Sequence, residues 1–247
     1  MSETTTDLSG RYALVTGASR GIGRATALAL AKAGAHVIAI ARTTGALEEL
    51  DDDIKQAGGK ATLIPVDLTH AEAIDQLAAV LLQRFGKLDI FVANAGALND
   101  LTPVADIERK TWDGMLAVNL TAQWHLTKVL DPLLRQSDAG RVIYLSTGTT
   151  ESFKPFWGAY TVTKAGLEAL AHTYANEVEK TALRVNILNP GPSRTSMRAQ
   201  AMPGEDPETL PHPDEVAELI VRMSAPQYEK HGVRINFRDW REGNQSD

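Results

Sequence analysis

Apolar residues along the chain occur in two alternating patterns. Short, nearly continuous apolar runs are typical of buried strands, and longer stretches with apolar residues at helical spacing are typical of amphipathic helices. The first pattern predicts strands at 12–16, 36–41, 61–65, 88–93, 141–145, 183–188 and 233–237. The second predicts helices at 22–33, 47–57, 71–85, 111–135, 157–178 and 214–224, with Pro132 as a candidate break in the fourth.

Strands that alternate with amphipathic helices indicate a parallel sheet covered on both faces. Because crossovers between parallel strands are right-handed, we expect a single-domain, doubly wound α/β sheet, the Rossmann fold, over residues 10–240. Residues 1–9 are polar and rich in threonine, so we expect a flexible tail there. The segment 190–213 holds six of the eleven prolines and is expected to form a substrate lid, since long irregular loops are often functional.

Composition narrows the class of protein. The 247 residues are 43% hydrophobic, carry a formal net charge of −6 and include no cysteine. Negative charge argues against a nucleic-acid partner, and the absence of cysteine excludes disulfides and thiolate chemistry. No run approaches the roughly 18 apolar residues of a membrane helix. The six histidines lack metal-ligand spacing, so we expect no metal. The absence of cysteine and of a membrane helix leads us to expect a cytoplasmic protein without a membrane partner.

A glycine-rich turn follows the first predicted strand. It reads Thr16-Gly17-Ala18-Ser19-Arg20-Gly21-Ile22-Gly23 and leads directly into the first predicted helix. Glycine permits a sharp turn and the close approach of a pyrophosphate, and the helix that follows offers unpaired amides to phosphates. Glycine triplets alone are weak evidence, but this one opens a strand–turn–helix unit. The turn therefore predicts a dinucleotide-binding site.

The residue that follows the second strand distinguishes NAD from NADP. An acidic residue there binds the adenosine ribose and rejects a 2′-phosphate. This chain has Arg42 instead, and Arg20 adds a second guanidinium within the glycine turn. Because a guanidinium matches the geometry of a phosphate, we predict NADP(H) as cofactor rather than NAD(H). The alternative is that both arginines are ordinary solvated surface charges.

Tyr160 and Lys164 stand four residues apart in the predicted helix 157–178. Residues at that spacing lie on one helix face. A free tyrosine titrates near pH ~10, and a neighbouring ammonium should lower its pKa by favouring the phenolate. The two residues therefore predict an acid/base pair beside the dinucleotide, and the expected chemistry is hydride transfer.

With these motifs and further segments in the same order, the chain resembles the short-chain dehydrogenase/reductase family over about residues 8–237. Asp67, followed by Leu68, is similar to the family's adenine-contacting aspartate. Asn94-Ala95-Gly96 resembles the core of its Asn-Asn-Ala-Gly motif. Asn119 is similar to its active-site asparagine, and Asn189-Pro190-Gly191 with Thr195 resembles its nicotinamide-binding segment. The stretch 194–199, with residues 205–207 beyond it, is similar to a bacterial branch of oxidoreductases.

The resemblance implies a role for each catalytic residue. Tyr160 would exchange a proton with the substrate oxygen. Lys164 would lower the tyrosine pKa and bind the nicotinamide ribose, and Asn119 would free a backbone carbonyl for a water. The family's serine lies thirteen residues before the tyrosine, where this chain has Thr147, with Ser146 beside it. Adjacent side chains on a strand point to opposite faces, so only one hydroxyl should face the substrate. The spacing favours Thr147, and Ser146 remains open.

The predicted function is an NADP(H)-dependent reductase or dehydrogenase acting on a carbonyl/secondary-alcohol pair. The alternative hypothesis is an NAD(P)-sensing regulatory protein on the same fold, which the presence of Tyr160 and Lys164 makes less favoured. The resemblance also implies a homodimer or homotetramer, although the chain continues with Arg238-Asp239-Trp240 where many relatives have Asp-Gly-Gly. Phe153, Phe156 and Trp157 either line an apolar substrate pocket or pack the domain or an oligomer contact.

Overall fold

The structure, a computed structural model, describes residues 6–243. Its strands are β1 Tyr12–Thr16, β2 His36–Ala41, β3 Lys60–Pro65, β4 Ile90–Ala93, β5 Arg141–Leu145, β6 Arg184–Asn189 and β7 Arg234–Asn236. They form one sheet in the order β3-β2-β1-β4-β5-β6-β7, and every neighbouring pair is parallel.

Helices connect the strands. They are α1 Gly21–Lys32, α2 Thr44–Gln56, α3 Ala71–Phe85, α4 Arg109–Leu116, α5 Ala122–Leu134, α6 Thr149–Ser152, α7 Gly158–Glu177, α8 Ser196–Ala201, α9 Pro213–Met223 and α10 Phe237–Arg241. Short 3₁₀ turns occur at Val104–Asp106 and Pro207–Thr209, and a π-helical turn, Ala117–Thr121, joins α4 to α5. Within the described residues, no helix combines the length and the apolar character needed to span a membrane.

Two hydrophobic cores cover the two faces of the sheet. Helices α1, α2 and α9 pack on one face, and α3, α5 and α7 pack on the other. Successive residues of β1 point to opposite cores, with Val15 in the first and Leu14 in the second. A strand buried on both faces must be apolar at every position, which explains the continuous apolar runs. The predicted doubly wound parallel sheet is confirmed.

The strand order reverses beside β1. This strand pairs with β2 on one side and with β4 on the other, so the connections leave it in opposite directions. In an open parallel sheet, such a reversal opens a crevice at the carboxyl ends of the strands. The glycine turn and the loop after β4 both begin at this edge.

Part of the N-terminal segment that was predicted to be a flexible tail packs against the domain. Leu8 is fully buried in the core formed with α1 and α2, and its amide donates to the Ala33 carbonyl at 2.7 Å. The side chain removes its apolar surface from water as completely as the strand residues do. The expectation of a flexible tail is therefore wrong at Leu8, and residues 1–5 of that tail lie outside the described part of the chain.

The helix predicted at 111–135 does not break at Pro132. Helix α5 continues through this proline to Leu134. The carbonyl that loses its hydrogen-bond donor belongs to Lys128, an exposed residue, so water can take the place of the missing amide. The irregularity in this helical stretch is instead the π-helical turn Ala117–Thr121.

Three short helices, α6, α8 and α10, were absent from the prediction, and the last two bear on the cavity edge. Helix α8 lies within the segment expected to be an irregular lid, and Thr195 caps it by accepting from the Arg198 amide at 3.2 Å. Strand β7 ends at Asn236, because Phe237 already begins α10. Asn236 donates to the Asp239 carboxylate at 3.0 Å across the first turn of that helix. Both helix starts therefore carry a polar residue that can bond within the first turn.

Candidate active site

A cavity of about 630 Å³ opens at the edge of the sheet where the strand order reverses. Every predicted site residue except Asn119 lines it: Gly17, Ser19, Arg20, Gly21, Ile22, Gly23, Arg42, Asp67, Leu68, Asn94, Ala95, Gly96, Ser146, Thr147, Tyr160, Lys164, Pro190, Gly191 and Thr195. Residues more than 170 positions apart in sequence thus meet around one space, because all of them follow the carboxyl ends of parallel strands or lie on helices that begin there.

The glycine turn forms a cradle with no room for side chains. Gly17 and Gly21 have φ values of +67° and +55°, in the left-handed region that favours glycine. A Cβ on Gly23 would collide with the Gly17 carbonyl oxygen and with the Asn94 amide. Arg20 stands at the N-cap of α1 without a side-chain capping bond, which leaves the first amides of the helix available to a ligand. The cradle therefore fits a pyrophosphate.

Asn94 fastens this cradle to the next strand. Its side-chain amide donates to the Thr16 carbonyl at 2.8 Å. The Thr16 hydroxyl in turn accepts from the backbone amides of Asn94 at 3.0 Å and Ala95 at 2.9 Å. Asn94 lines the cavity, but its side chain is committed to holding the turn. The motif match alone did not reveal this task.

Charged groups mark the end of the cavity near β2 and β3. Arg20 and Arg42 are exposed, and neither forms an ion pair within residues 6–243. The Asp67 carboxylate accepts from the Thr69 amide at 2.9 Å and hydroxyl at 2.8 Å. These bonds, the backbone one above all, hold the pKa of Asp67 below its usual range. The cavity thus offers two unpaired guanidinium groups beside one fixed carboxylate.

Tyr160 presents its phenol to the cavity. Its ring packs edge-on against Trp157, with 5.9 Å between ring centroids, and its hydroxyl has no hydrogen-bond partner in the described part of the chain. Burial raises the pKa of Tyr160 to about 12. We expected Lys164 to lower this pKa, and that expectation is wrong, because loss of water around the phenol outweighs the ammonium. The phenol therefore keeps its proton at neutral pH.

Lys164 is buried behind Tyr160. Its side-chain nitrogen donates to the Leu145 carbonyl at 2.7 Å and lies 6.0 Å from the centroid of the Tyr160 ring. Burial lowers the pKa of Lys164 to about 8, and Glu168, one helical turn further along α7, opposes that shift. Lys164 thus stays largely protonated at neutral pH, with its charge buried and bonded to the Leu145 carbonyl.

Asn119 lies behind the cavity wall and is fully buried in the π-helical turn. Its side chain accepts from the Ala97 amide at 2.7 Å and donates to the Ala97 carbonyl at 2.9 Å. It also donates to the Thr163 hydroxyl at 3.0 Å, and that hydroxyl donates to the Tyr160 carbonyl at 2.8 Å. Asn119 therefore ties the loop after β4 to the helix that carries Tyr160.

The two candidate hydroxyls at the end of β5 have different partners. Ser146 is buried and donates to the Glu168 carboxylate. Thr147 is partly exposed, and its hydroxyl oxygen accepts from the Thr149 amide at 3.3 Å. The Thr147 hydroxyl proton has no acceptor within residues 6–243. The structure thus separates two hydroxyls that the spacing had left open.

The cavity holds fewer aromatic side chains than the apolar pocket considered from the sequence. Trp157 lines it, but Phe153 and Phe156 are 72% and 54% exposed and do not. Residues of α10, which no sequence pattern identified, contribute Arg238 and Asp239 instead. The sequence feature that could have indicated α10 is the spacing of Asn236 and Asp239, which bond to each other across the first turn of that helix.

The comparisons with known proteins agree with this architecture. A family model described as short chain dehydrogenase matches residues 11–206. The chain belongs to this family of oxidoreductases, as the motifs predicted.

Particular relatives share most of their length with the chain. The uncharacterized oxidoreductase YciK of Escherichia coli K12 is 36% identical over 217 residues, which cover 87% of this chain and 86% of YciK. A short chain dehydrogenase of Shigella flexneri 2a, solved in complex with NADP, superposes with a TM-score of 0.91 at 34% identity, over 95% of this chain and 99% of that one. A short chain dehydrogenase of Escherichia coli CFT073, in complex with NADPH, gives the same values.

Proposed function

We propose that this chain is an NADP(H)-dependent reductase or dehydrogenase that interconverts a carbonyl and a secondary alcohol. The observation that carries the proposal is the pairing of a protonated Tyr160 phenol, free to bond in the cavity, with the buried ammonium of Lys164. A general acid must reach its substrate and hold a proton at the working pH, and Tyr160 meets both conditions.

The cofactor assignment rests on the cradle and on the unpaired arginines. The amides at the start of α1 would bind the pyrophosphate, and Arg20 and Arg42 would bind the 2′-phosphate of the adenosine ribose. The cofactor, when bound, supplies or accepts the hydride. The solved relatives that contain NADP and NADPH support the phosphorylated dinucleotide.

Proton transfer falls to Tyr160. In reduction, the phenol donates its proton to the oxygen of the substrate and becomes a phenolate. The ammonium of Lys164 stabilises that phenolate, since an opposite charge nearby favours the charged form. Asn119 and Thr163 fix the backbone of Tyr160, so that the phenol keeps one position through the transfer.

The substrate oxygen needs a second donor. Ser146 gives its hydroxyl proton to Glu168 and has none left for a substrate in this arrangement. Thr147 lines the cavity with a hydroxyl proton that is still available. Thr147 is therefore the residue that donates a hydrogen bond to the carbonyl oxygen.

The experiment is NADPH consumption against a panel of aldehydes, ketones, diketones, quinones and 3-oxoacyl esters. Tyr160→Phe should lower turnover at least about 100-fold, the usual contribution of a positioned general acid. Tyr228→Phe removes a phenolic hydroxyl from a buried residue outside the cavity and should leave turnover unchanged. NADPH bound tightly without turnover on any member would contradict the proposal and favour the sensor hypothesis.

We also propose that the chain is a homodimer or homotetramer. Two large apolar side chains on neighbouring helices, Trp124 on α5 and Val162 on α7, are 49% and 47% exposed and would be covered by a second copy, which supports the proposal. Sedimentation velocity measures the mass directly, and a monomer at micromolar concentration would contradict this assembly.

A further inference from the structure

An ion pair lies behind the cavity wall, between the helix that carries Tyr160 and the last strand. Arg234 on β7 donates to the Glu168 carboxylate on α7 at 3.2 Å. Their side chains are only 13% and 16% exposed, and neither residue lines the cavity. Removing both charges from water is costly, so their geometry must be held by further hydrogen bonds.

Glu168 is the acceptor at the centre of this cluster. The same carboxylate oxygen accepts from the Ser146 hydroxyl and, at 3.0 Å, from the Thr150 hydroxyl. Hydrogen bonds to an ionised group are about twice as strong as those between neutral groups. The Ser146 proton is therefore directed toward Glu168.

Arg234 reaches the neighbouring residue with its other nitrogens. One guanidinium nitrogen donates to the Thr147 carbonyl at 3.0 Å, and the Thr150 hydroxyl donates to the same carbonyl at 2.9 Å. Arg234 thus donates to both the Thr147 carbonyl and Glu168, whereas the single Thr150 proton lies within reach of both acceptors and goes to one of them at a time. A third guanidinium bond, to the Glu151 carboxylate at 2.6 Å, anchors Arg234 on its exposed side.

We propose that Glu168 and Arg234 are positioning residues for the carbonyl reduction: they withhold the Ser146 hydroxyl and fix the Thr147 peptide, so that Thr147 presents its hydroxyl to the substrate oxygen. This inference rests on the proposed function. The Thr149 hydroxyl does not compete for that task, because it is enclosed and has no contact with solvent.

A double-mutant cycle on kcat/KM for NADPH-dependent reduction tests the inference. Thr147→Val, which removes a donor to the reacting oxygen, should lower kcat/KM about 100-fold. Arg234→Gln should lower it about tenfold, because Thr147 is then less well placed. Since both changes act on the same hydroxyl, the double variant should lose about 100- to 200-fold, well short of the roughly 1000-fold product of independent effects.

Two further variants complete the design. Ser146→Ala should change kcat/KM less than about threefold, as expected for a side chain that makes no contact with the reacting oxygen. Arg135→Gln breaks another arginine–carboxylate pair, with Asp131, outside the cavity and should leave kcat/KM unchanged. If Arg234→Gln unfolds, as judged by circular dichroism, the cycle is run with Glu168→Gln/Arg234→Gln, which leaves no unpaired buried charge.

The outcomes separate this inference from the proposed function. Multiplicative effects of Thr147→Val and Arg234→Gln would overturn the positioning role, as would a loss in Ser146→Ala as large as that in Thr147→Val. If those results occur while Tyr160→Phe is inactive, only the inference fails. If the wild-type chain reduces no member of the panel, the proposed function fails and the inference fails with it.

Discussion

Lys164 carries a positive charge at a buried position, so the free energy of unfolding of the protein should depend on pH through this residue. The residue is 2% exposed, and burial lowers its pKa from 10.5 to about 8. Lys164→Met removes the titrating group and keeps an unbranched side chain of similar length. The perturbation therefore isolates the energetic cost of the buried ammonium.

The sign follows from proton linkage. Between pH 8 and pH 10.5 the unfolded chain binds more protons at Lys164 than the folded chain, so the free energy of unfolding of the wild type should rise with pH through this window. The full shift corresponds to about 3 kcal/mol, of which about 2 to 3 kcal/mol should appear between pH 7 and pH 10. Lys164→Met should lack this rise.

The assay is urea unfolding of the ligand-free wild type and Lys164→Met at pH 7, 8, 9 and 10. Subtracting the free energies of unfolding of the two proteins at each pH removes the contribution of groups that titrate alike in both. Lys110→Met, at an exposed position of α4, serves as the control and should give a difference that does not change with pH. A flat difference for Lys164→Met would refute the reasoning, because it would mean that the buried ammonium carries no cost.

Three further predictions concern the cradle, the cofactor and the core. Arg42→Asp should weaken NADPH binding about 10- to 100-fold, the value of one charged hydrogen bond, and should favour NADH. Fluorescence titration measures the dissociation constants, with Arg109→Asp as control, and unchanged values would contradict the phosphate assignment. Gly21→Ala should lower the free energy of unfolding by about 1 to 3 kcal/mol, because φ is +55° and the new Cβ would lie 3.2 Å from Thr195. Urea unfolding compares it with Gly45→Ala, where space is open, and an equal change in the two variants would contradict the prediction. Leu8→Ala should cost about 2 to 5 kcal/mol, whereas Leu82→Ala, at a 59% exposed position, should cost far less, and similar losses would show that the N-terminal packing is not stabilising.

Features set by neighbours in sequence were predicted well. The glycine turn lies within eight consecutive residues, and its conformation depends on the missing side chains of Gly17, Gly21 and Gly23. Strands β1, β2 and β5 match the predicted bounds, because continuous apolar runs admit no other placement in a sheet that is buried on both faces.

Short polar helices were predicted poorly. Helices α8 and α10 have six and five residues, too few for an apolar period to appear. Each depends on packing against the rest of the domain, since isolated helices of this length do not form in water. The strand prediction that ran to Phe237 was also wrong, because an apolar residue at the end of a strand can equally begin a buried helix.

The sequence by itself determined the fold class, the dinucleotide cradle and the meeting of Tyr160 with Lys164. These follow from local spacing, which acts through the backbone geometry of strands, turns and helices. Only the tertiary structure decided which hydroxyl beside β5 is free, because Glu168 and Arg234 reach Ser146 and Thr147 from 22 and 87 residues away. It also reversed the expected pKa shift of Tyr160, since burial depends on what the whole chain packs around a phenol and not on the charge four residues along.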